Sequence, residues 1–298
     1  MALGKHWMTS SEFESSAREL RNHYDKIMID PRLATPERFQ WDYWHVPDQY
    51  TLLRTPAYHY FPKRIYERFH RQIVMWGREQ LGCHDISPPW LSCYVEGCRQ
   101  NLHADQPHGP WAFVFSLTPW SQRKFGGGET VLLNPDCLTN WHAPQQSGFE
   151  YKDLTVRIPP RFGQLTIFDP RIPHGVETVT GTNDPREGRL VIHGWFVKPR
   201  PFWRGSLKLP QISRILNEGV ASLGANLQAF EISGYLSLRL KILSSGKVAG
   251  IQLLTNTLVG EPNVLKNAHR LIQKQVSQWK FAASKGATLL TLPLHFGL

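Results

Sequence analysis

Cysteine is scarce in this chain of 298 residues. Four occur, Cys83, Cys93, Cys98 and Cys137, and no two stand in a C-x-x-C pair. A disulfide framework is therefore not expected, and free thiols in a reducing compartment are. A zinc site built on Cys93 and Cys98 lacks two further ligands at suitable spacing. Long apolar runs are also missing. No stretch approaches the 18 residues of a membrane helix, and the opening "MALGKHWMTSSEFESS" has no apolar core of a secretory signal. The expectation is a soluble cytoplasmic protein with no membrane partner. The net charge is +10, yet no clustered basic strip accompanies it, so nucleic acid is not the favoured partner. Repeats of 20–50 residues are absent as well.

What the chain does have is aromatic side chains, 12% of it, including 11 Trp. Core and sheet packing is the expected use of most of these rings. The segment "FQWDYWHVPDQYTLLRTPAYHYF" is the densest, and some of its rings are candidates for shaping a pocket. The length suggests two domains. Helices are predicted over 10–28, capped by Ser10 or Ser11, and over 62–81, where Ile65, Phe69, Ile73 and Trp76 recur at helical spacing. From about residue 90 short β-rich runs alternate with Gly, Pro, Asn and Asp, the texture of a sandwich or barrel. Residues 197–210, with three prolines, read as a linker. The remainder reads α-β-β-α-β, a small α+β domain in which Tyr235 and every second residue to Leu243 share a strand face.

Chemistry concentrates in "NLHADQPHGPW", residues 101–111. On an extended segment His103 and Asp105 point to the same side, so an imidazole and a carboxylate converge. One more histidine would complete a facial 2-His-1-carboxylate set, which leaves open positions and suits Fe(II). His108, His142, His174 and His193 are the candidates. His108 is too near in sequence, and His142 sits in a loop-like run. His174 stands between two β runs, 69 residues past Asp105. An anion anchor follows: Arg189 opens "RLVIHGWFV", where alternation puts Arg189, Val191, His193 and Trp195 on one face. Arg186 is its rival. His108 and Trp111 are assigned no role, with the pocket rim the place open to them.

These motifs, in this order, resemble the Fe(II)/2-oxoglutarate-dependent dioxygenases of the prolyl 4-hydroxylase-like superfamily, over about residues 90–199. Tyr94 stands nine before His103; "HAD", "FGGGETVLL" (125–133), "GQLTIFDPRIPHGVETV" (163–179) and "RLVIHGWF" (189–196) complete the pattern. The resemblance implies a mainly β fold, a double-stranded β-helix (jelly-roll) core at 90–199 with an N-terminal helical part at 1–89. It makes residues 1–205 one domain and 211–298 another. It implies His103, Asp105 and His174 as metal ligands and catalytic residues, with Arg189 and Tyr94 binding the cosubstrate. Fe(II), 2-oxoglutarate and O2 are the implied cofactors, with ascorbate as an accessory.

The implied reaction hydroxylates an unactivated C–H bond of a peptidyl residue or small metabolite and releases succinate and CO2. Asp at 105 leaves no vacant protein-ligand position for a halide. One departure is the 15-residue spacing from His174 to Arg189, longer than is usual in the group. The alternatives are an AlkB-like nucleic-acid demethylase and a non-catalytic peptide- or protein-binding protein. Residues 211–298 resemble the C-terminal domain of TonB-like energy transducers. That implies a docking role or a dimer contact through a sheet edge.

Overall fold

The computed structural model describes residues 2–4, 6–29, 40–105, 108–134 and 154–297. Cys137 and His142 lie outside the described residues. Strands β1 (Ala2–Gly4) and β2 (Trp7–Ser10) precede helix α1 (Glu14–Met28), and a hairpin of β3 (Asp42–Val46) and β4 (Tyr50–Pro56) leads to helix α2 (Lys63–Gln80). Then come β5 (Cys83–Ile86), β6 (Trp90–Tyr94), β7 (Arg99–His103), β8 (Trp111–Ser116) and β9 (Thr130–Leu133). β10 (Thr155–Ile158), β11 (Leu165–Phe168), β12 (His174–Val176) and β13 (Arg189–Pro199) follow. The chain ends with β14 (Phe202–Gly205), α3 (Leu209–Leu227), β15 (Gly234–Ile242), β16 (Val248–Asn256), α4 (Pro262–Ser277) and β17 (Thr288–Phe296). Two compact units divide it: Met1–Gln72 with Ile86–Val197, and Ile73–Asp85 with Lys198–Leu298.

The first unit is mainly β. Its strands run in the order β1-β2-β11-β8-β13-β6-β4-β7-β12-β9-β10, with β3 beside β4. Along this path the neighbouring strands pair antiparallel. Five strands separate β11 from β12, yet the rings of Phe168 and His174 lie 4.6 Å apart. The sheet is therefore curled on itself, as in a jelly-roll. Helices close its outer face: Phe115 of β8 packs against Phe13 and Phe69. That cover explains why β13 is apolar on its outer side too, where Leu190, Ile192 and Phe196 are buried.

Three expectations are corrected here. Residues 1–89 are not only helical. β2 pairs with β11, and β4, whose "YTLLRTP" suits a strand by placing Tyr50, Leu52 and Arg54 on one face, lies between β6 and β7. Helix α1 begins at Glu14 without a serine cap. Ser10 is committed to the ladder opposite Leu165, and the buried Phe13 stands at the N-cap instead. Trp111 is not at the rim but buried at 1% exposure.

The second unit is a four-stranded antiparallel sheet in the order β14-β17-β15-β16. Leu236, Leu238, Leu240 and Ile242 of β15 face a core shared with Ile212 and Leu216 of α3 and Ile272 and Val276 of α4. The opposite face of β15 meets the end of α2. Tyr235 Oη donates to the Leu81 carbonyl at 2.5 Å, and Arg239 Nη2 to that of Glu79 at 2.6 Å. The proposed linker thus contains a strand. Prolines 199, 201 and 210 bracket it, but Phe202–Gly205 keeps its N–H groups and pairs with β17.

Candidate metal and cosubstrate site

β7 and β12 bring the first residues together. His103 and His174 are directly opposite each other across the ladder, with ring centroids 4.6 Å apart. Gly175 permits this approach, since a Cβ there would strike the Gln100 carbonyl. Asp105 lies just past the end of β7, and its backbone N–H is held by the Pro170 carbonyl at 3.0 Å. Its carboxylate oxygens stand 3.5 Å from His103 Nε2 and 3.2 Å from His174 Nε2. One ligand atom from each of the three residues falls within 4.8 Å of the others. Among the described residues no other group of three or more His, Cys, Asp or Glu side chains converges in this way.

Both imidazoles are set in the same tautomer. His103 Nδ1 is 2.8 Å from the Asn101 carbonyl, and His174 Nδ1 is 2.9 Å from that of Ile172. A carbonyl can only accept, so Nδ1 donates to it and Nε2 is the nitrogen turned towards Asp105. Burial alone would raise the Asp105 carboxyl. The hydrogen bond and charge of His174, with His103 behind it, outweigh this and hold it below the usual aspartate value. Two imidazole nitrogens and a carboxylate oxygen converging on one point fit a divalent cation, which would take the place of any proton on Nε2.

Arg189, the first residue of β13, pairs with Tyr94 of β6 and is 1% exposed. Its guanidinium lies 4.6 Å from the Tyr94 ring centroid, and Nη2 donates to Thr130 Oγ1 at 3.2 Å. Nε and Nη1 are buried without a hydrogen-bond partner. Gly128, with φ +81°, leaves the room beside it: a Cβ there would lie 3.4 Å from Arg189 Cδ. Burial lowers the Arg189 pKa, opposed by Tyr94 and Glu129. Tyr94 Oη donates to Gln100 Oε1 at 2.9 Å, and burial pushes its own pKa up to about 12. The rival Arg186 is exposed and tied to Asp184 at 2.6 Å.

Arg189, Val191, His193 and Trp195 all line one cavity of about 480 Å³, together with His103, Asp105 and His174. His193 is not among the three converging ligands. Its Nε2 lies 2.8 Å from Ser92 Oγ, and burial, then Arg189, lower its pKa to about 4, so the ring is neutral. His108 also lines the cavity and packs on Trp195 at 4.5 Å. The paired cysteines considered for zinc are both buried. Cys93 Sγ lies 3.7 Å from Tyr24 Oη, and its pKa is pushed up by burial to about 12.

Thr130, Gln100 and Arg54 belong to this cavity and were not singled out from sequence. Thr130 follows the Gly-Gly-Glu run that already drew attention. Arg54 carried a readable signal, a cation on an otherwise apolar or aromatic strand face with Tyr50 and Leu52.

Residues 89–197 match the family model of the 2OG-Fe(II) oxygenase superfamily. No curated protein sequence matches the chain. Solved structures similar to it include a prolyl-4-hydroxylase from Pseudomonas putida, at 15% identity and TM-score 0.44, covering 67% of this chain and 94% of that one. A prolyl hydroxylase from Trichoplax adhaerens, solved in complex with a hypoxia inducible factor peptide fragment, has 15% identity and TM-score 0.44, with coverage of 65% and 84%. A 2OG-Fe(II) oxygenase family oxidoreductase from Burkholderia pseudomallei has 15% identity and TM-score 0.42, with coverage of 63% and 84%. Among the described residues no helix is long and apolar enough to cross a membrane.

Proposed function

We propose that the chain is an Fe(II)- and 2-oxoglutarate-dependent dioxygenase that hydroxylates an unactivated C–H bond of a peptidyl residue or small metabolite, releasing succinate and CO2. One observation carries the reading. A cation-fitting trio and a buried, under-partnered guanidinium line the same cavity. Neither feature is stable alone: the trio gathers donors for a cation, and the arginine awaits an anion.

His103 and His174 would hold the metal through Nε2 and Asp105 through a carboxylate oxygen. Iron bound there supplies the activation of O2 that no side chain can. Arg189 would receive the far carboxylate of 2-oxoglutarate through its in-plane N–H groups, as guanidinium and carboxylate match bidentately. Thr130 and the Tyr94 ring hold that guanidinium in place. The neutral His193 adds no second positive charge beside it. For the second unit the reading is docking at the free edge of β16, whose strand neighbour among the described residues is β15.

Anaerobic addition of Fe(II) and 2-oxoglutarate should give a visible metal-to-ligand charge-transfer band, and His174→Ala should lose it. No band in the wild-type protein refutes the function. A band unchanged in His174→Ala refutes the ligand assignment. Succinate release against cell extract, with mass spectrometry for hydroxylated products, then identifies the substrate.

A further inference from the structure

A second cation faces the cavity, and the proposed reaction gives it no task. Arg54 lies on β4 opposite Ser92 of β6, and Ser92 in turn lies opposite Val191 of β13. Leu52 on β4, Tyr94 and Arg189 belong to the neighbouring row of the same inner face. Two strand spacings across and two residues along separate the backbones of Arg54 and Arg189 by roughly 12 Å. The two guanidiniums therefore mark different parts of the pocket.

The surroundings of Arg54 are specific. Its guanidinium carbon lies 3.1 Å from the Trp44 ring centroid and 4.0 Å from that of Trp90. Two indoles thus pack against the cation. Its Nε is buried without a partner, and the described residues offer it no ion pair. Asp42, its cross-strand neighbour on β3, is exposed and makes no bridge to it. A guanidinium packed between indole rings is left to bind through its in-plane N–H groups. That edge suits a carboxylate or a phosphate, which takes two parallel hydrogen bonds. The clamp also fixes the fork in advance, so less side-chain entropy is lost on binding.

We infer that Arg54, clamped by Trp44 and Trp90, recognises a carboxylate or phosphate group of the substrate to be oxidised. The inference rests on the reading above in one respect, that Arg189 is occupied by 2-oxoglutarate. Arg54 is then a specificity residue, selecting an anionic substrate and setting its distance from the metal trio.

The test uses the full chain with Mn(II) and excess 2-oxoglutarate, and three probes: phenylacetate, phenyl phosphate and the neutral phenylacetamide. Tryptophan fluorescence and calorimetry report binding. At least one anion should bind saturably and phenylacetamide about tenfold or more weaker, the loss expected when a charged hydrogen-bonding partner is removed. Which anion binds decides between the carboxylate and phosphate sources. Arg54→Met should abolish the preference for charge, and Arg54→Lys, which keeps charge without the planar fork, should weaken it. Arg189→Met should leave it intact. Equal affinity for the amide, no saturable binding of either anion at millimolar concentration, or binding lost in Arg189→Met but kept in Arg54→Met overturns the inference. Thermal midpoints of the variants separate lost recognition from lost folding. A missing charge-transfer band with Arg54-dependent binding intact would defeat the proposed function alone, and the reverse pattern would defeat only this inference.

Discussion

Each unit places an arginine and a tyrosine on one sheet face, and the two pairs are treated differently. In the second unit Arg239 and Tyr235 donate to backbone carbonyls at the end of α2. In the first, Arg189 keeps two buried nitrogens unpartnered while Tyr94 supports it from below. Burying a polar group without a partner is costly, most of all for a charged one, so a buried guanidinium with two unpaired nitrogens points to an anion that will pair with it. The second pair is structural. The first, on the proposed reading, is a receptor.

A reading of this kind fails if the first unit tolerates unpaired buried charge in general, and Asp169 tests that. It is 2% exposed and bound by His6 at 3.3 Å and by Arg171 at 2.6 Å, on the loop that carries Pro170 towards Asp105. Asp169→Asn should cost about 3 kcal/mol, the low end for breaking a buried pair, because Arg171 is partly exposed. The pH dependence has a definite sign. Burial alone would raise the Asp169 carboxyl, but His6 and Arg171 hold it below the usual value. Its contribution is therefore present above the unfolded-state pKa of about 3.9 and is lost as pH falls through the folded value. Denaturant unfolding of both proteins at neutral pH and near pH 3 should show the difference shrinking. A constant or growing gap contradicts the pairing.

The arginines themselves give the next largest effect. Arg189→Met should raise the KM for 2-oxoglutarate about 10–100-fold, yet leave the protein as stable or stabilise it by up to about 4 kcal/mol. Arg239→Met should instead destabilise by about 1–2 kcal/mol and leave that KM alone. Steady-state succinate assays and thermal unfolding read the two quantities separately. If Arg189→Met is the more destabilising of the two, the guanidinium is structural and the distinction collapses.

How far the sequence could go is visible in the same residues. Period-2 alternation set Arg189, Val191, His193 and Trp195 on one face, and the structure has all four lining the cavity. The His-x-Asp spacing set two side chains on one side of a strand. Local spacing ends there. That β4 inserts between β6 and β7, bringing Arg54 to the cavity, depends on pairing over long sequence separations, and alternation does not encode partners. Prolines on both sides disguised β14 as a linker, although the four residues after Pro201 could all join a ladder. Trp111 is similar: it opens its strand directly after Gly109 and Pro110, but the register opposite Phe196 turns it into the core.

The smallest expected effect refines the comparison furthest. Tyr235→Phe removes a buried donor and leaves the Leu81 carbonyl short of one, which should cost about 1–2 kcal/mol. Tyr94→Phe keeps the ring under Arg189 and gives up the hydroxyl's pull on that cation and a bond to Gln100, whose side chain shares the solvent-accessible cavity. Water can replace that bond, so stability should change by no more than about 0.5 kcal/mol. The 2-oxoglutarate KM should nevertheless rise severalfold if the Tyr94 hydroxyl also meets the cosubstrate. Should the two variants lose equal stability, with no change in KM, Tyr94 is packing and Arg189 alone anchors the carboxylate.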